Sequence, residues 1–96
     1  MKQIENLDKD TLITIRTDLD CTPLDNELVM MDLDKGKYYS LNSVGSSIWN
    51  MLKTPMTLSD LVTSLTKEFD IDYNKCCLEV TEFLNRLYDS ELITLN

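Results

Sequence analysis

The sequence contains no histidine, and this absence removes several kinds of chemistry at once. Histidine is the usual general acid or base near neutral pH and the commonest protein ligand of transition metals. Glycine-rich phosphate-binding motifs of the GxGxxG or GxxxxGK(S/T) type are also missing, as is the HExxH metal motif. We therefore predict that the chain is not an enzyme and that it uses neither a cofactor nor a metal ion.

Cysteine is scarce and poorly spaced for a disulfide framework or a metal site. The three cysteines are Cys21, Cys76 and Cys77, and an odd number without a secretory signal argues against disulfides. The adjacent pair lacks the C-x-x-C spacing of zinc and redox sites. At least one cysteine is expected to be a small buried apolar residue on a helix. The alternative, a small enzyme or thiol-redox protein that uses Cys76 and Cys77, needs a base or resolving partner that the sequence does not supply.

Long hydrophobic runs are missing as well. No apolar stretch approaches the roughly 20 residues needed to span a bilayer, and the opening segment, MKQIENLDKD, has no apolar signal region. We therefore expect a cytoplasmic protein that does not insert into a membrane. With 96 residues, 43% of them hydrophobic, and only two glycines and two prolines, the chain is expected to form one globular domain over residues 1–96.

The sequence also has few positively charged residues. Nine lysines and arginines face 17 aspartates and glutamates, which gives a net charge of −8. Nucleic-acid binding depends on clustered Lys and Arg side chains that neutralise phosphates, and the sequence has no such cluster. We therefore predict no nucleic-acid partner. An acidic surface chiefly favours solubility, and it can also attract a basic peptide.

The first half of the sequence is typical of short strands. The β-branched residues 11–16 predict a first strand, and TDLDCTPLDN over 17–26 predicts a loop. The apolar run 27–33 predicts a second strand, whose lack of alternation suggests cover on both faces. Residues 34–37 are expected to close a hairpin around a glycine with positive φ, before a third strand over 38–41.

A first helix is predicted over about residues 43–53, with Asn42 or Ser43 as its N-cap. Its Gly45, which costs roughly 1 kcal/mol relative to Ala in a helix, suggests that another backbone passes close by. The alternative is a tolerated glycine in the first turn. Trp49 is expected to pack against the sheet rather than against a ligand. The inward stripe of this helix is predicted to consist of Val44, Ile48, Met51 and Leu52.

Two further helices complete the pattern. Residues 57–60 (TLSD) form a variant capping box that opens the second helix, and Asp72 is expected to cap a third helix that ends near residue 90. A short extended piece follows at the end of the chain. The predicted fold is α+β, with a three-stranded antiparallel sheet (about residues 11–41) followed by a winged-helix-like three-helix bundle (about residues 43–90).

This layout leaves a winged-helix DNA-binding regulator as the alternative function. Such a protein needs a basic recognition helix that faces phosphates. The last predicted helix instead carries Glu79, Glu82 and Asp89 at positions expected to be exposed, opposed by Lys75 and Arg86. The charge pattern therefore disfavours DNA binding.

Three segments of the sequence carry a resemblance to a known family. The run LVMMDLDKGKYYSLNSVGSSIWNML resembles the family of pyrroloquinoline-quinone biosynthesis protein D (PqqD). The shared pattern is an apolar strand, an acidic-glycine turn, an aromatic strand and Leu-Asn before a helix that has a Gly and an Ile-Trp pair. MTLSDLVTSLTKEFDID resembles the family's second helix, and VTEFLNRLYDSELI resembles its closing pattern. The resemblance covers roughly residues 27–93.

The resemblance implies a function in peptide recognition. Family members bind the leader segment of ribosomally made, post-translationally modified precursor peptides and present it to a processing enzyme. That enzyme is a radical-SAM enzyme, a cyclodehydratase, another modifying enzyme or a leader peptidase. As a separate short chain, this protein also resembles the stand-alone recognition proteins of lasso-peptide pathways. In the family fold, the leader adds as a fourth strand beside the third strand, in a groove walled by the third helix.

The third predicted strand has features that suit such an addition. Edge strands are normally protected from pairing with another chain by charged residues, by proline or by a covering element. This strand has only Lys37 at its start and no proline. An open edge permits β-augmentation, in which backbone bonds supply affinity and side-chain pockets supply specificity. Tyr39 and Leu41 are predicted on one face, and Tyr38 and Ser40 on the other. The alternative is that the tyrosines only cover the core and that the edge is too short to bind anything.

The resemblance also implies which residues contact the leader. Leu41, Val80 and Leu84 are expected to be core rather than contact residues, and Tyr38 and Tyr73 are the favoured peptide contacts. Asp72 and Glu79 either meet basic leader residues or form solvated surface. We expect two partners, a leader peptide and a pathway enzyme, and a monomer, with a strand-swapped dimer as the alternative. The candidate peptide-binding residues are Lys37, Tyr38, Tyr39, Ser40 and Leu41 on the strand and Tyr73, Cys76, Cys77, Val80 and Leu84 on the helix.

Overall fold

The computed structural model describes residues 9–96, in which short antiparallel strands precede and follow three helices. This arrangement confirms the α+β class and the three predicted helices. In chain order the elements are β1 (Leu12–Ile15), β2 (Asp20–Leu24), β3 (Glu27–Asp32), β4 (Lys37–Leu41), α1 (Ser43–Met51), β5 (Met56–Thr57), α2 (Leu58–Glu68), α3 (Tyr73–Asp89) and β6 (Ile93–Leu95).

The strands form two three-stranded antiparallel sheets rather than one. The larger sheet has the order β2-β3-β4, and its β3–β4 hairpin pairs Leu28 with Leu41 and Asp32 with Lys37. The smaller sheet has the order β5-β1-β6. The predicted turn is confirmed, since Gly36 has a φ of 65°, a conformation that a residue without a Cβ adopts at little cost.

Two predictions about the strands are wrong. Residues 17–26 are not a loop throughout, because they contain β2, which takes the place expected for the first strand beside β3. β1 pairs instead with β5 and with the C-terminal β6. All five residues of β2 are exposed, so the sequence has no apolar pattern there that would predict a strand. The partners of β1 are distant in sequence, and a local pattern does not reveal such pairing.

The prediction that both faces of β3 find some cover is confirmed only in part. Leu28 and Met30 are buried on the inner face, whereas on the outer face Val29 is half-buried and Met31 is exposed. The continuous apolar run therefore belongs to a strand whose inner face is buried and whose outer face is partly exposed.

Polar caps begin the three helices where the sequence predicts them. The Asn42 Oδ1 atom accepts a hydrogen bond from the Gly45 amide at 2.9 Å. The Thr57 Oγ1 atom accepts one from the Asp60 amide, and the Asp72 carboxylate accepts one from the Lys75 amide at 3.1 Å. Each cap satisfies an amide that has no partner inside its helix. Within residues 9–96, no helix combines the length and hydrophobicity needed to cross a bilayer.

The packing of α1 differs from the predicted stripe. Ile48 and Leu52 are buried and Met51 is half-buried, as predicted, but Val44 is exposed. Trp49 is also buried, which confirms that it packs inside the protein. The prediction that another backbone passes close to Gly45 is also wrong. A Cβ on Gly45 would lie 3.2 Å from the Phe83 ring and 3.3 Å from the Leu41 Cβ, so the close neighbours are side chains.

A buried ion pair connects the two sheets. Arg16, just after β1, places its Nη1 atom 2.7 Å from a carboxylate oxygen of Asp32, whose side chain is only 1% exposed. The same guanidinium also pairs with the exposed Asp18 at 2.7 Å. The Lys35 amide donates to the other Asp32 oxygen at 3.4 Å. Hydrogen bonding from Arg16 is the main cause that holds the pKa of Asp32 below its ordinary value, against the opposing effect of burial.

Candidate functional site

The larger sheet has two outer strands that differ in what they offer to another chain. Within the described residues, β2 and β4 each pair with β3 alone. β2 contains Pro23, which has no N–H to donate, and proline is typical of edges that are not extended. β4 has no proline, and every second residue of an antiparallel edge strand points both its N–H and its C=O outward. β4 is therefore the edge that can accept a further strand.

The side chains of β4 alternate as predicted. Leu41 is buried and Tyr39 is half-buried on the inner face, whereas Tyr38 is 72% exposed and Ser40 is exposed on the outer face. The Ser40 hydroxyl donates to the Glu27 carboxylate of β3 at 3.4 Å. A strand added at this edge would thus meet an apolar inner side and a polar outer side.

A groove of about 310 Å³ runs between β4 and the C-terminal half of α3. We call it the strand groove. It is bordered on one side by the edge of the sheet and on the other by an exposed helical face of mixed apolar and polar character. Its lining residues are Tyr39, Ser40, Leu41, Asn42, Phe83, Arg86, Leu87, Ser90 and Leu92.

A second hollow of about 300 Å³ adjoins the strand groove, and we call it the helix pocket. The two cavities share Asn42, Phe83 and Arg86, so they lie side by side along α3, and we call the two together the channel. The remaining walls of the helix pocket come from α1 (Val44, Gly45, Ile48), from the end of α2 and the residues after it (Leu65, Phe69, Ile71), and from α3 (Cys76, Glu79, Val80, Glu82).

Lys35 joins the tip of the β3–β4 hairpin to the end of α3. Its ammonium group lies 3.4 Å from the Ser90 carbonyl oxygen and 3.4 Å from a carboxylate oxygen of Glu91. The start of β4 therefore lies toward the C-terminus of α3, and its end lies toward the middle of that helix.

The structure distributes the predicted contact residues over several environments. Tyr39, Ser40 and Leu41 line the strand groove, and Lys37 and Tyr38 lie on the same edge strand. Cys76 and Val80 line the helix pocket, although both are buried. Tyr73 is exposed and Cys77 is half-buried, and neither lines the strand groove or the helix pocket, while Leu84 is 0% exposed and belongs to the core.

The C-terminal half of α3 supplies a wall that the sequence interpretation did not include. Phe83, Arg86, Leu87 and Ser90 line the strand groove and recur at intervals of three and four residues. That helical period was therefore available as a signal in the sequence. Which half of α3 faces β4 depends on the packing of the helix against the sheet, and the period does not encode this choice.

Charge is unevenly placed around the channel. Glu79 and Glu82 are exposed at the rim of the helix pocket, and the exposed Arg86 lies where the two cavities join. Asp89 is also exposed, so the acidic surface predicted for α3 is confirmed. Among residues 9–96, no group of three or more metal-binding side chains is positioned to hold an ion. What the channel offers is backbone hydrogen bonding, apolar walls and a few charges, which are the means of holding an extended peptide.

The two cysteines with raised pKa values should differ in reactivity because only one is accessible. Burial raises the pKa of Cys76, which is buried at the helix pocket, and that of Cys21, which lies on the exposed strand β2. The thiolate is the reactive form, and it must also be reached. In native protein we expect iodoacetamide to alkylate Cys76 at least about tenfold more slowly than Cys21, as followed by fragment mass spectrometry. Equal rates would contradict the buried position of Cys76, and denaturant should abolish the difference.

The fold and sequence were compared with known proteins. The model of the family described as coenzyme PQQ synthesis protein D (PqqD) matches residues 27–93. The solved structure of TbiB1 in complex with the TbiA(beta) leader peptide is similar at 28% identity with a TM-score of 0.76, over 83% of this chain and 93% of that chain. No curated protein matches.

The family match covers the part of the chain that builds the channel. It begins at the first residue of β3 and ends at the first residue of β6, so it contains β4 and the whole of α3. This span is well over half of the chain. The protein therefore belongs to the PqqD family.

Proposed function

We propose that this protein is a non-catalytic adaptor that binds the leader segment of a ribosomally made, post-translationally modified precursor peptide and presents it to a pathway enzyme. The observation that carries the proposal is the open edge of β4 beside the strand groove. It occurs in a member of the PqqD family whose structural relative TbiB1 was solved with a leader peptide. The leader would add to β4 as a fourth strand of the larger sheet.

The proposed contact uses two kinds of interaction with different roles. Backbone hydrogen bonds to β4 depend little on sequence and contribute about 0.5 to 1.5 kcal/mol each. Side chains of the added strand point alternately into the channel and away from it, so the channel can select those on one face. Apolar walls such as Leu87 and Leu92 favour aliphatic or aromatic side chains at the inward positions.

The residues proposed for the site fall into two groups. On the strand side they are Lys37, Tyr38, Tyr39, Ser40 and Leu41, chiefly through backbone atoms. On the helix side, Tyr73, Cys76, Cys77, Val80 and Leu84 stay predictions from the family resemblance. To these we add the α3 residues Phe83, Arg86 and Leu87 and the C-cap residue Ser90, which line the strand groove.

A binding protein of this kind acts by raising local concentration. Holding the leader keeps the linked core peptide close to the active site of an enzyme that the adaptor also contacts. We propose a leader peptidase, a radical-SAM enzyme or another modifying enzyme as that partner, in a lasso-peptide or related pathway. The proposed setting is the cytoplasm, and the proposed active form is a monomer.

An NMR titration tests the proposal. The ¹⁵N-labelled protein would be titrated with the synthetic leader segment of the precursor peptide encoded beside its gene. We expect the largest amide shifts in β4 and along the C-terminal half of α3, with intermolecular NOEs that give the strand register. Tight binding with shifts confined to the helix surfaces away from β4 would contradict strand addition.

A second titration separates the wrong peptide from the wrong function. If near-millimolar leader produces no shifts, the experiment is repeated with the enzyme encoded in the same gene neighbourhood. Binding that appears only with the enzyme present would retain the adaptor function. Absence of binding in both titrations, by protein shown to be folded, would count against a leader-binding role.

A further inference from the structure

Phe83 and Gly45 meet where the strand groove joins the helix pocket. Phe83 lines both cavities. Its ring lies against the Cα of Gly45, because a Cβ built there would be 3.2 Å from Cζ and 3.3 Å from Cε1. Both distances are shorter than an ordinary van der Waals contact between carbon atoms, which is about 3.5 to 4.0 Å. The lack of a side chain at Gly45 thus determines where the ring can lie.

We propose that Phe83, seated on Gly45, divides the channel into two chambers and so determines which peptides bind. A suitable peptide carries two apolar anchor side chains, one for each chamber, with the Phe83 ring between them. This inference rests on the proposed function, since it concerns the peptide that adds to β4. It goes further by assigning the specificity of that site to one ring and one glycine.

The spacing of the two anchors follows from the geometry of α3. The α3 residues that line the strand groove (Phe83, Arg86 and Leu87) are centred about four positions beyond those that line the helix pocket. At 1.5 Å per residue this places the chambers about 6 Å apart along the helix. An extended peptide advances about 3.3 Å per residue, and only every second side chain points into the channel. The two anchors are therefore expected two residues apart.

The chemistry of the helix pocket indicates what its anchor and the neighbouring residue should be. Its floor is apolar and comes from all three helices, for example Ile48 of α1, Leu65 of α2 and Val80 of α3. Its volume of about 300 Å³ is enough for one large aliphatic or aromatic side chain. Glu79 and Glu82 lie at its rim and are exposed. A lysine or arginine next to the anchor would meet these carboxylates, and Coulomb attraction favours it modestly because both carboxylates are exposed.

Two substitutions alter the dividing ring in different ways. Phe83→Ala removes the ring and should merge the chambers. Gly45→Ala leaves the ring intact and adds a methyl group 3.2 Å from the Phe83 ring and 3.3 Å from the Leu41 Cβ, so these neighbours must shift by a few tenths of an ångström. Because alanine favours a helix over glycine by about 1 kcal/mol, Gly45→Ala is not expected to unfold α1. Leu78→Ala is the matched control, since Leu78 is 71% exposed on α3 and lines neither cavity.

The test is selection from a phage-displayed library of random 16-residue peptides on the wild-type protein and the three variants. We expect the wild type and Leu78→Ala to enrich two apolar residues two positions apart, with Lys or Arg beside one of them. Phe83→Ala should enrich peptides without a fixed spacing. The best wild-type peptide, labelled with fluorescein, should bind Gly45→Ala about tenfold more weakly, with circular dichroism showing that this variant is folded.

The outcomes distinguish this inference from the function on which it rests. Enriched peptides with a single anchor, or with the same spacing on Phe83→Ala, would overturn the two-chamber division and leave the adaptor function standing. If the best wild-type peptide binds Gly45→Ala with unchanged affinity, the two-chamber division is likewise overturned and the adaptor function stands. If folded wild-type protein enriches no peptide at all, the proposed function itself fails. Should Phe83→Ala prove unfolded, Phe83→Leu takes its place, because it keeps an apolar side chain and removes the flat ring.

Discussion

A single N-methyl group on any one of the alternate leader amides that face β4 is expected to weaken leader binding by at least about tenfold. A methyl group on any of the intervening amides should change the binding affinity by less than about twofold. The reason is strand addition at β4. Alternate amides of an added strand donate hydrogen bonds to the edge, and the others point away. A lost bond costs about 0.5 to 1.5 kcal/mol, and a methyl group does not fit between strands about 4.8 Å apart.

Fluorescence polarisation with a series of singly methylated peptides measures this effect. The period of two is the diagnostic feature, because contacts made only by side chains would not produce it. An alanine scan of the same peptide serves as the control and should show its own period of two from the inward-pointing residues. Uniform tolerance of methylation, with a strong alanine pattern, would mean that the peptide lies in the channel without pairing with β4.

Replacing Arg16 by Met is expected to lower the melting temperature by roughly 10 °C or more. The substitution keeps a long side chain but leaves the buried Asp32 carboxylate without the cation that pairs with it at 2.7 Å. A buried charge without a partner is strongly destabilising. Because Asp32 lies opposite Lys37, the first residue of β4, the loss should also loosen the hairpin that carries the proposed peptide-binding edge. Thermal unfolding followed by circular dichroism measures the change.

The pH dependence of this effect has a defined sign. Pairing with Arg16 lowers the pKa of Asp32 in the folded state below its ordinary value of 3.8. The stabilisation is therefore fully present above that ordinary value and is lost as the pH falls through the lower, folded-state pKa. The difference in melting temperature between wild type and Arg16→Met should accordingly shrink below about pH 4. A difference that stays constant down to pH 2 would show that packing, rather than the ion pair, causes the loss.

Asp18→Asn provides the matched control for Arg16→Met. Asp18 binds the same guanidinium at 2.7 Å, but its side chain is 59% exposed. Exposed ion pairs contribute little, so the melting temperature should change by no more than about 3 °C. If Asp18→Asn lowers the melting temperature as much as Arg16→Met does, then the pair with the exposed Asp18, rather than the pair with the buried Asp32, is the main source of the stabilisation.

Much of the architecture was determined by local sequence. Asn42, Thr57 and Asp72 mark the three helix starts because a short polar side chain beside an apolar periodic run satisfies amides within its own turn. Gly36 marks the hairpin because its φ is positive. The continuous family pattern over residues 27–93 indicated both the family and the open edge of β4.

Tertiary structure decided which distant elements meet. It pairs β1 with β5 and β6, uses the exposed residues of β2 as an edge strand, and buries Asp32 against Arg16. It also brings the C-terminal half of α3 to β4 and rests the Phe83 ring on Gly45. Helix caps and hydrophobic periodicities depend only on residues within one turn or one strand, so the local sequence by itself determines them. Pairing, burial and the width of the channel depend on how the helices pack against both sheets, and only the folded chain specifies them.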